Sequence, residues 1–147
     1  MEPAEKEKML ASEADTIAFG VALAARLKAG DVIKITGPLG AGKTTLVRGL
    51  VQGLGGDPAE VHSPTFLLTH HYQAGFLEII HCDFYRLPNS SRLEEFGGLE
   101  FFESDSIFFI EWPERIQLFE SSIPNRLLGV DLRDNASSRT AILSGPW

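Results

Sequence analysis

Residues 37–44, Gly37-Pro38-Leu39-Gly40-Ala41-Gly42-Lys43-Thr44, constrain this chain more than any other stretch. They fit the pattern G-x-x-x-x-G-K-[ST], the P-loop. Glycines let the backbone curl until successive N–H groups point at one anion. Lys43 brings a point charge for β- and γ-phosphates, and Thr44 a hydroxyl for a magnesium ion. At average residue usage the pattern arises by chance in roughly one chain of this length in two hundred. The flanks reduce that further. Asp31 to Thr36 reads as a strand entering the loop. Thr45 to Val51 reads as a helix leaving it, starting near Gly42, with Leu46, Val47, Leu50, Val51 and Leu54 as its apolar stripe. A helix start at this place turns the positive end of its dipole toward the bound anion.

The 147 residues, 44% hydrophobic, suffice for one domain with a real core. A single cysteine, Cys82, excludes an internal disulfide and fits a reducing cytoplasm. Met1 to Lys8 lacks a secretory leader, and no apolar run is long enough for a membrane span, so a cytoplasmic location with no membrane contact is expected. The net charge of −7 argues against unaided tight binding of RNA or DNA.

Residues 1–11 read as a flexible, charged lead-in and 12–147 as a single P-loop ATPase domain. Ser12 and Asp15 form a capping-box pattern for a helix running to about Lys28, with Ile17, Val21, Ala24, Ala25 and Leu27 toward the core and Gly30 closing it. Phe66–Tyr72 and Phe76–Asp83 read as strands joined by the turn Gln73-Ala74-Gly75, an antiparallel hairpin. Ser90–Phe96 reads as a short helix ending at Gly97-Gly98, with a second short turn at Leu99–Phe102. Ser106–Glu111 reads as a strand buried on both faces and stopped by Trp112-Pro113. Arg126–Leu132 and Arg139–Leu143 read as a closing pair of strands. The fold class is α/β, a P-loop NTPase-like three-layer sandwich with a mixed, parallel plus antiparallel, sheet.

Hydrolysis needs an acid for the metal and a group to place water. Asp83 and Glu111 each end an apolar strand, the usual place for such acids; each also has the plainer reading of a solvated strand terminus. Alternation puts His81, Asp83 and Tyr85 on one face and Ile80, Cys82 and Phe84 on the other, so Cys82 reads as a small core hydrophobe. The four histidines lack the spacing of a zinc site. Ser63-Pro64-Thr65 reads either as a loop that responds to the γ-phosphate or as a rigid turn into a strand.

In order along the chain, residues 37–45, Ser63-Pro64-Thr65-Phe66, His81-Cys82-Asp83-Phe84-Tyr85-Arg86-Leu87 and Ile110-Glu111-Trp112-Pro113 resemble the TsaE (YjeE) family of bacterial P-loop ATPases, over about residues 12 to 143. The resemblance implies binding of ATP or ADP with Mg²⁺ and slow ATP hydrolysis. It also implies action on the TsaB–TsaD complex, which modifies the adenosine beside the anticodon of ANN-decoding tRNAs with a threonylcarbamoyl group; tRNA is met only through that complex. By position, Thr44, Glu111 and Asp83 are the metal residues. Lys43, Asp83 and Glu111 are the catalytic set. Gly40, Ala41, Gly42, Lys43, Thr44 and Thr45 cradle the phosphates, and Trp112, Glu13 and Arg139 lie near the nucleotide. Pro38 stands where the family usually carries Asp. A small-molecule or nucleoside kinase is the alternative. It needs an arginine-bearing lid, and only Arg86 and Arg92 lie between the P-loop helix and Glu111. A nucleotide-sensing adaptor without turnover is the third reading. No arginine finger is evident, so slow turnover alone and stimulation by a partner are expected.

Overall fold

A computed structural model of the chain describes residues 7–62, 68–88, 90–135 and 138–147, the side chain of Phe96 excepted. Ser63-Pro64-Thr65-Phe66 lies outside the described residues. The described residues form one seven-stranded mixed sheet in the order β1-β7-β6-β2-β5-β4-β3. In chain order these are β1 Glu7–Leu10, β2 Val32–Thr36, β3 Thr69–Ala74, β4 Leu77–Asp83, β5 Ile107–Glu111, β6 Leu127–Asp134 and β7 Arg139–Ser144. The centre is parallel: β2 lies between β5 and β6, and β4 flanks β5. β3 and β7 pair antiparallel with β4 and β6, and β1 antiparallel with β7. The expected mixed α/β sheet is what forms.

The central strands are apolar on both faces because both are covered. On one face, helices α1 (Glu13–Ala24) and α2 (Lys43–Gly53) bury Leu23, Leu46, Leu50 and Val51 against Ile33, Ile35, Ile79, Phe109 and Leu128. On the other, Val32, Ile80, Cys82, Phe108 and Ile110 meet Phe84, Leu93, Phe102, Ile116 and Phe119. Phe84 directly follows β4, Leu93, Phe102 and Ile116 belong to or close short 3₁₀ turns, and Phe119 opens the four-residue helix α3 (Phe119–Ser122). Rings of Phe102 and Phe108 sit 4.9 Å apart, an aromatic seam filling a layer that lacks long helices.

Four expectations are corrected. Residues 7–10 of the supposed lead-in form β1, paired from Glu7↔Ile142 to Leu10↔Arg139. Helix α1 stops at Ala24, four residues short of Lys28, because tertiary bonds claim its end. The N–H groups of Arg26 and Leu27 bond in 3₁₀ fashion to Leu23 and Ala24, Arg126 Nη2 donates to the Arg26 carbonyl at 2.8 Å, and the Lys28 N–H donates to Asp31 Oδ2 at 2.7 Å. Ala25 is then exposed, and the buried face is Thr16, Gly20, Leu23 and Ala24. The hairpin turn lies at Gly75-Phe76, since Ala74 pairs with Leu77 and Gly75 takes φ 64°. The segment after Ser90 is 3₁₀ over Leu93–Phe96: with Gly97 at φ 96°, too few residues remain to nucleate an α-helix.

At the N-terminus of α1 Ser12 is the N-cap, as the sequence predicts, but the reciprocal bond of the capping box goes one residue further back. Ser12 Oγ accepts from the Asp15 N–H at 3.1 Å, while Asp15 Oδ2 reaches back to the Ala11 N–H at 2.9 Å. Among the described residues no helix is long and apolar enough to cross a membrane.

Candidate functional site: a phosphate-type loop facing two carboxylates

Strand β2 ends at Thr36, the chain turns through residues 37–42, and α2 begins at Lys43. The turn needs left-handed backbone at three places: Gly37 (φ 142°), Gly40 (φ 79°) and Gly42 (φ 98°). Gly37 is also a close-approach position, where an added Cβ would lie 2.5 Å from the Leu132 carbonyl oxygen. The helical ladder opens with the Leu46 N–H donating to the Gly42 carbonyl at 2.9 Å. The N–H groups of Lys43, Thr44 and Thr45 therefore precede any helical acceptor and crown the helix end with donors. Pro38 removes only an early amide. Its carbonyl is used twice, by the Ala41 N–H at 3.2 Å and by Lys43 Nζ at 2.8 Å.

Lys43 is 6% exposed, and Nζ also donates to the Gly37 carbonyl at 2.6 Å. It stands 4.6 Å from the Trp112 ring centroid, a cation–π contact. Burial lowers the pKa of Lys43, against the opposing pull of Glu111, Asp83 and Glu114. An ammonium held this way is poorly solvated, so an incoming anion finds a strong electrostatic partner.

Register brings the two acids together. Asp83 on β4 pairs with Glu111 on β5, and Glu111 with Ile35 on β2, one residue before the loop's approach at Thr36. Both carboxylates thus lie at the carboxyl ends of parallel strands beside the loop. Glu111 is 3% exposed, and its Oε2 is 2.5 Å from His81 Nε2; His81 Nδ1 is 3.0 Å from the Tyr72 hydroxyl. Asp83 Oδ1 accepts from the Tyr85 N–H at 2.9 Å. Burial raises the Asp83 pKa; the Tyr85 amide opposes this, Glu111 adds to it, and His81 and Lys43 oppose it. Each carboxylate keeps its second oxygen without a hydrogen-bond partner among the described residues.

Around this centre Trp112 takes a left-handed backbone (φ 58°), which turns its ring over Lys43 and against Tyr85 at 4.9 Å. A non-glycine residue in that region is strained, and such strain concentrates where a side chain must be aimed. Arg139 Nη2 donates to the Gly40 carbonyl at 2.9 Å, so the late arginine does lie across the loop. Glu13 and Arg139 line a cavity of about 270 Å³ with Ser12, Asp134, Asn135 and Ser138. Gly40, Ala41, Gly42, Lys43, Thr44, Thr45, Asp83, Glu111, Trp112 and Arg139 are therefore gathered around one loop. Glu13 stands farther out, on that cavity's wall.

The oxygen donors present — Thr44 hydroxyl, Glu111, Asp83 — are hard and suit Mg²⁺. Among the described residues no group of three or more His, Cys, Asp or Glu side chains forms a cage of its own. Sequence reasoning placed His81 on the face of Asp83 but did not find its contact with Glu111 or Tyr72. The available signal was register: an antiparallel β3–β4 pair puts His70 opposite His81, and Tyr72 two residues further along β3.

A parallel-centred sheet with a glycine-rich loop between its central strand and a buried helix, and two acids on the neighbouring strand ends, defines an α/β protein of the P-loop type. Residues 10–141 match the family described as threonylcarbamoyl adenosine biosynthesis protein TsaE, and the chain belongs to that family. The tRNA threonylcarbamoyladenosine biosynthesis protein TsaE of Haemophilus influenzae is 42% identical over 107 residues, 71% of this chain and 65% of that protein. The protein of the same name from Rickettsia bellii is 34% identical over 133 residues, 90% of each chain. The crystal structure of Bacillus subtilis YdiB superposes with a TM-score of 0.71 at 27% identity, covering 95% of this chain and 84% of that one.

Proposed function

We propose that this chain is an Mg²⁺-dependent ATPase of tRNA threonylcarbamoyladenosine biosynthesis, acting in the cytoplasm on the TsaB–TsaD complex. The observation that carries the reading is the convergence of Lys43, the α2 amides, Glu111 and Asp83 on the loop 37–42. Lys43 exchanges the Gly37 and Pro38 carbonyls for β- and γ-phosphate oxygens. The amides of 40–45 hold the same phosphates by geometry, without side-chain choice. When bound, Mg²⁺ neutralises the phosphate charge and orients the γ-phosphate. The Thr44 hydroxyl and the second oxygens of Glu111 and Asp83 would hold it. Trp112 and Arg139 wall the nucleotide, and Glu13 lines the outer cavity toward its base or ribose.

The partner assignment rests on family membership and on charge. A chain with net charge −7 is a poor unaided ligand for tRNA, so tRNA is met through the complex. Phosphate release measured with and without TsaB–TsaD tests the proposal. Slow turnover alone, stimulation by the complex, and loss of both in Lys43→Ala and Glu111→Ala are expected. Turnover at tens per second from the isolated chain with no response to the complex contradicts it. Phosphoryl transfer to a nucleoside would instead support a kinase.

A further inference from the structure

Two deeply buried polar groups near the loop are ones that neither phosphate binding nor metal ligation uses. His81 is 0% exposed and Tyr72 3%. They join in a line, Tyr72 hydroxyl to His81 Nδ1 at 3.0 Å and His81 Nε2 to Glu111 Oε2 at 2.5 Å, crossing three adjacent strands, β3, β4 and β5. Burying an imidazole and a phenol together in an apolar sheet is unfavourable unless each polar atom is satisfied. Here every one is.

We propose that His81 and Tyr72 are positioning residues that fix the rotamer of Glu111, leaving Oε2 bonded inward and Oε1 alone turned to the ion. The proposal rests on the reading of Glu111 as an Mg²⁺ residue. The direction of the line follows from its ends. An ionised carboxylate only accepts, so His81 Nε2 carries the proton and donates to Oε2. In the neutral imidazole Nδ1 is then the acceptor and the Tyr72 hydroxyl the donor. Burial pushes the Tyr72 phenol up to about 12, with the His62 backbone amide opposing, so Tyr72 keeps its proton at neutral pH. Tyr72 thereby holds the imidazole at Nδ1, and the imidazole in turn holds the carboxylate through Nε2. Partners of this kind, one bond behind a metal-binding group, typically govern metal affinity by ten- to a hundredfold.

Two measurements test this. The first uses the unaltered chain without nucleotide: long-range ¹⁵N–¹H spectra of the histidine rings at neutral pH. A proton on His81 Nε2 is expected; an imidazole whose only proton sits on Nδ1 overturns the proposal. The second compares the Kd of a non-hydrolysable ATP analogue by calorimetry with and without Mg²⁺. Tyr72→Phe and His81→Asn are expected to lose about tenfold of the strengthening that Mg²⁺ gives, with the metal-free Kd within about twofold of the parent. His81→Gln, whose amide nitrogen reaches the place of Nε2, is expected to recover most of it. Equal Mg²⁺ strengthening in all four proteins overturns the proposal, as does equal weakening with and without Mg²⁺, which marks a merely structural role. A parent chain that binds no nucleotide overturns the ATPase reading and with it the role toward the ion; the spectrum separately decides whether the hydrogen-bonded line exists.

Discussion

Asp83 is a residue at which folding and the proposed function pull in opposite directions. It is half-buried at a strand end with Glu111 as its cross-strand neighbour, and burial raises its pKa above the ordinary 3.8. A carboxyl whose folded pKa is raised stabilises the fold fully only below its unfolded value. That contribution is lost as pH rises through the folded value, so at neutral pH the ionised form weighs against folding. Asp83→Asn keeps an oxygen for the Tyr85 N–H and removes the charge. Its melting temperature at pH 7 is expected to exceed that of the parent, by a margin that shrinks as pH is lowered toward 4, while the response of nucleotide binding to Mg²⁺ weakens. Thermal unfolding across that pH range checks it, and a lower melting temperature at pH 7 contradicts it. A natural sequence that keeps the less stable residue keeps it for what the site does. The acid itself was legible in sequence, because a charged residue closing an apolar strand stands out. The line behind Glu111 was not, because His81 and Tyr72 meet only across a hairpin whose register sequence leaves open by a residue or two.

Helices α1 and α2 touch backbone to backbone, and glycines make this possible. A Cβ on Gly49 would fall 2.3 Å from the Ile17 carbonyl oxygen, one on Gly20 2.8 Å from the Leu46 oxygen, and one on Gly53 2.8 Å from the Val21 oxygen. Glycine inside a helix costs about 1 kcal/mol relative to alanine, and close packing offsets that. Gly49→Ala is expected to push the helices apart and to lower stability by about 2–4 kcal/mol. Because α2 carries Lys43 and Thr44, its displacement should also weaken nucleotide binding. Denaturant unfolding checks the first effect, and an unchanged midpoint contradicts it. The strands and both helices were readable from apolar period and turn residues. The glycine contact was not, since its reason lies on another helix. The end of α1 was not either: Lys28 continues a helical pattern locally, and only Asp31 and Arg126, distant in sequence, pull the chain out of it.

Across the whole molecule, the candidate site and a buried ion-pair clamp sit at opposite ends of the sheet. The loop and both acids lie where β2, β4 and β5 end. At the other end Asp31, 2% exposed, receives both Arg126 Nε at 2.9 Å and Nη2 at 2.7 Å, and the same guanidinium donates to the Pro146 and Arg26 carbonyls. This clamp ties the entries of β2 and β6 to the chain terminus. Arg126→Ala leaves a buried carboxylate without its partner and is expected to cost about 3 kcal/mol in unfolding. Nucleotide affinity should stay within about twofold, since the five residues of β2, roughly 16 Å, separate clamp from loop. Unfolding and calorimetry on one sample check both. An affinity loss as large as the stability loss contradicts the separation. The central claim, that the loop between β2 and α2 holds a magnesium nucleotide, is tested most directly by titrating the purified chain with a non-hydrolysable ATP analogue, with and without Mg²⁺. Saturable binding strengthened by Mg²⁺, at least tenfold weaker in Lys43→Ala, is the predicted result. No binding at millimolar nucleotide, or equal binding in Lys43→Ala, would contradict it.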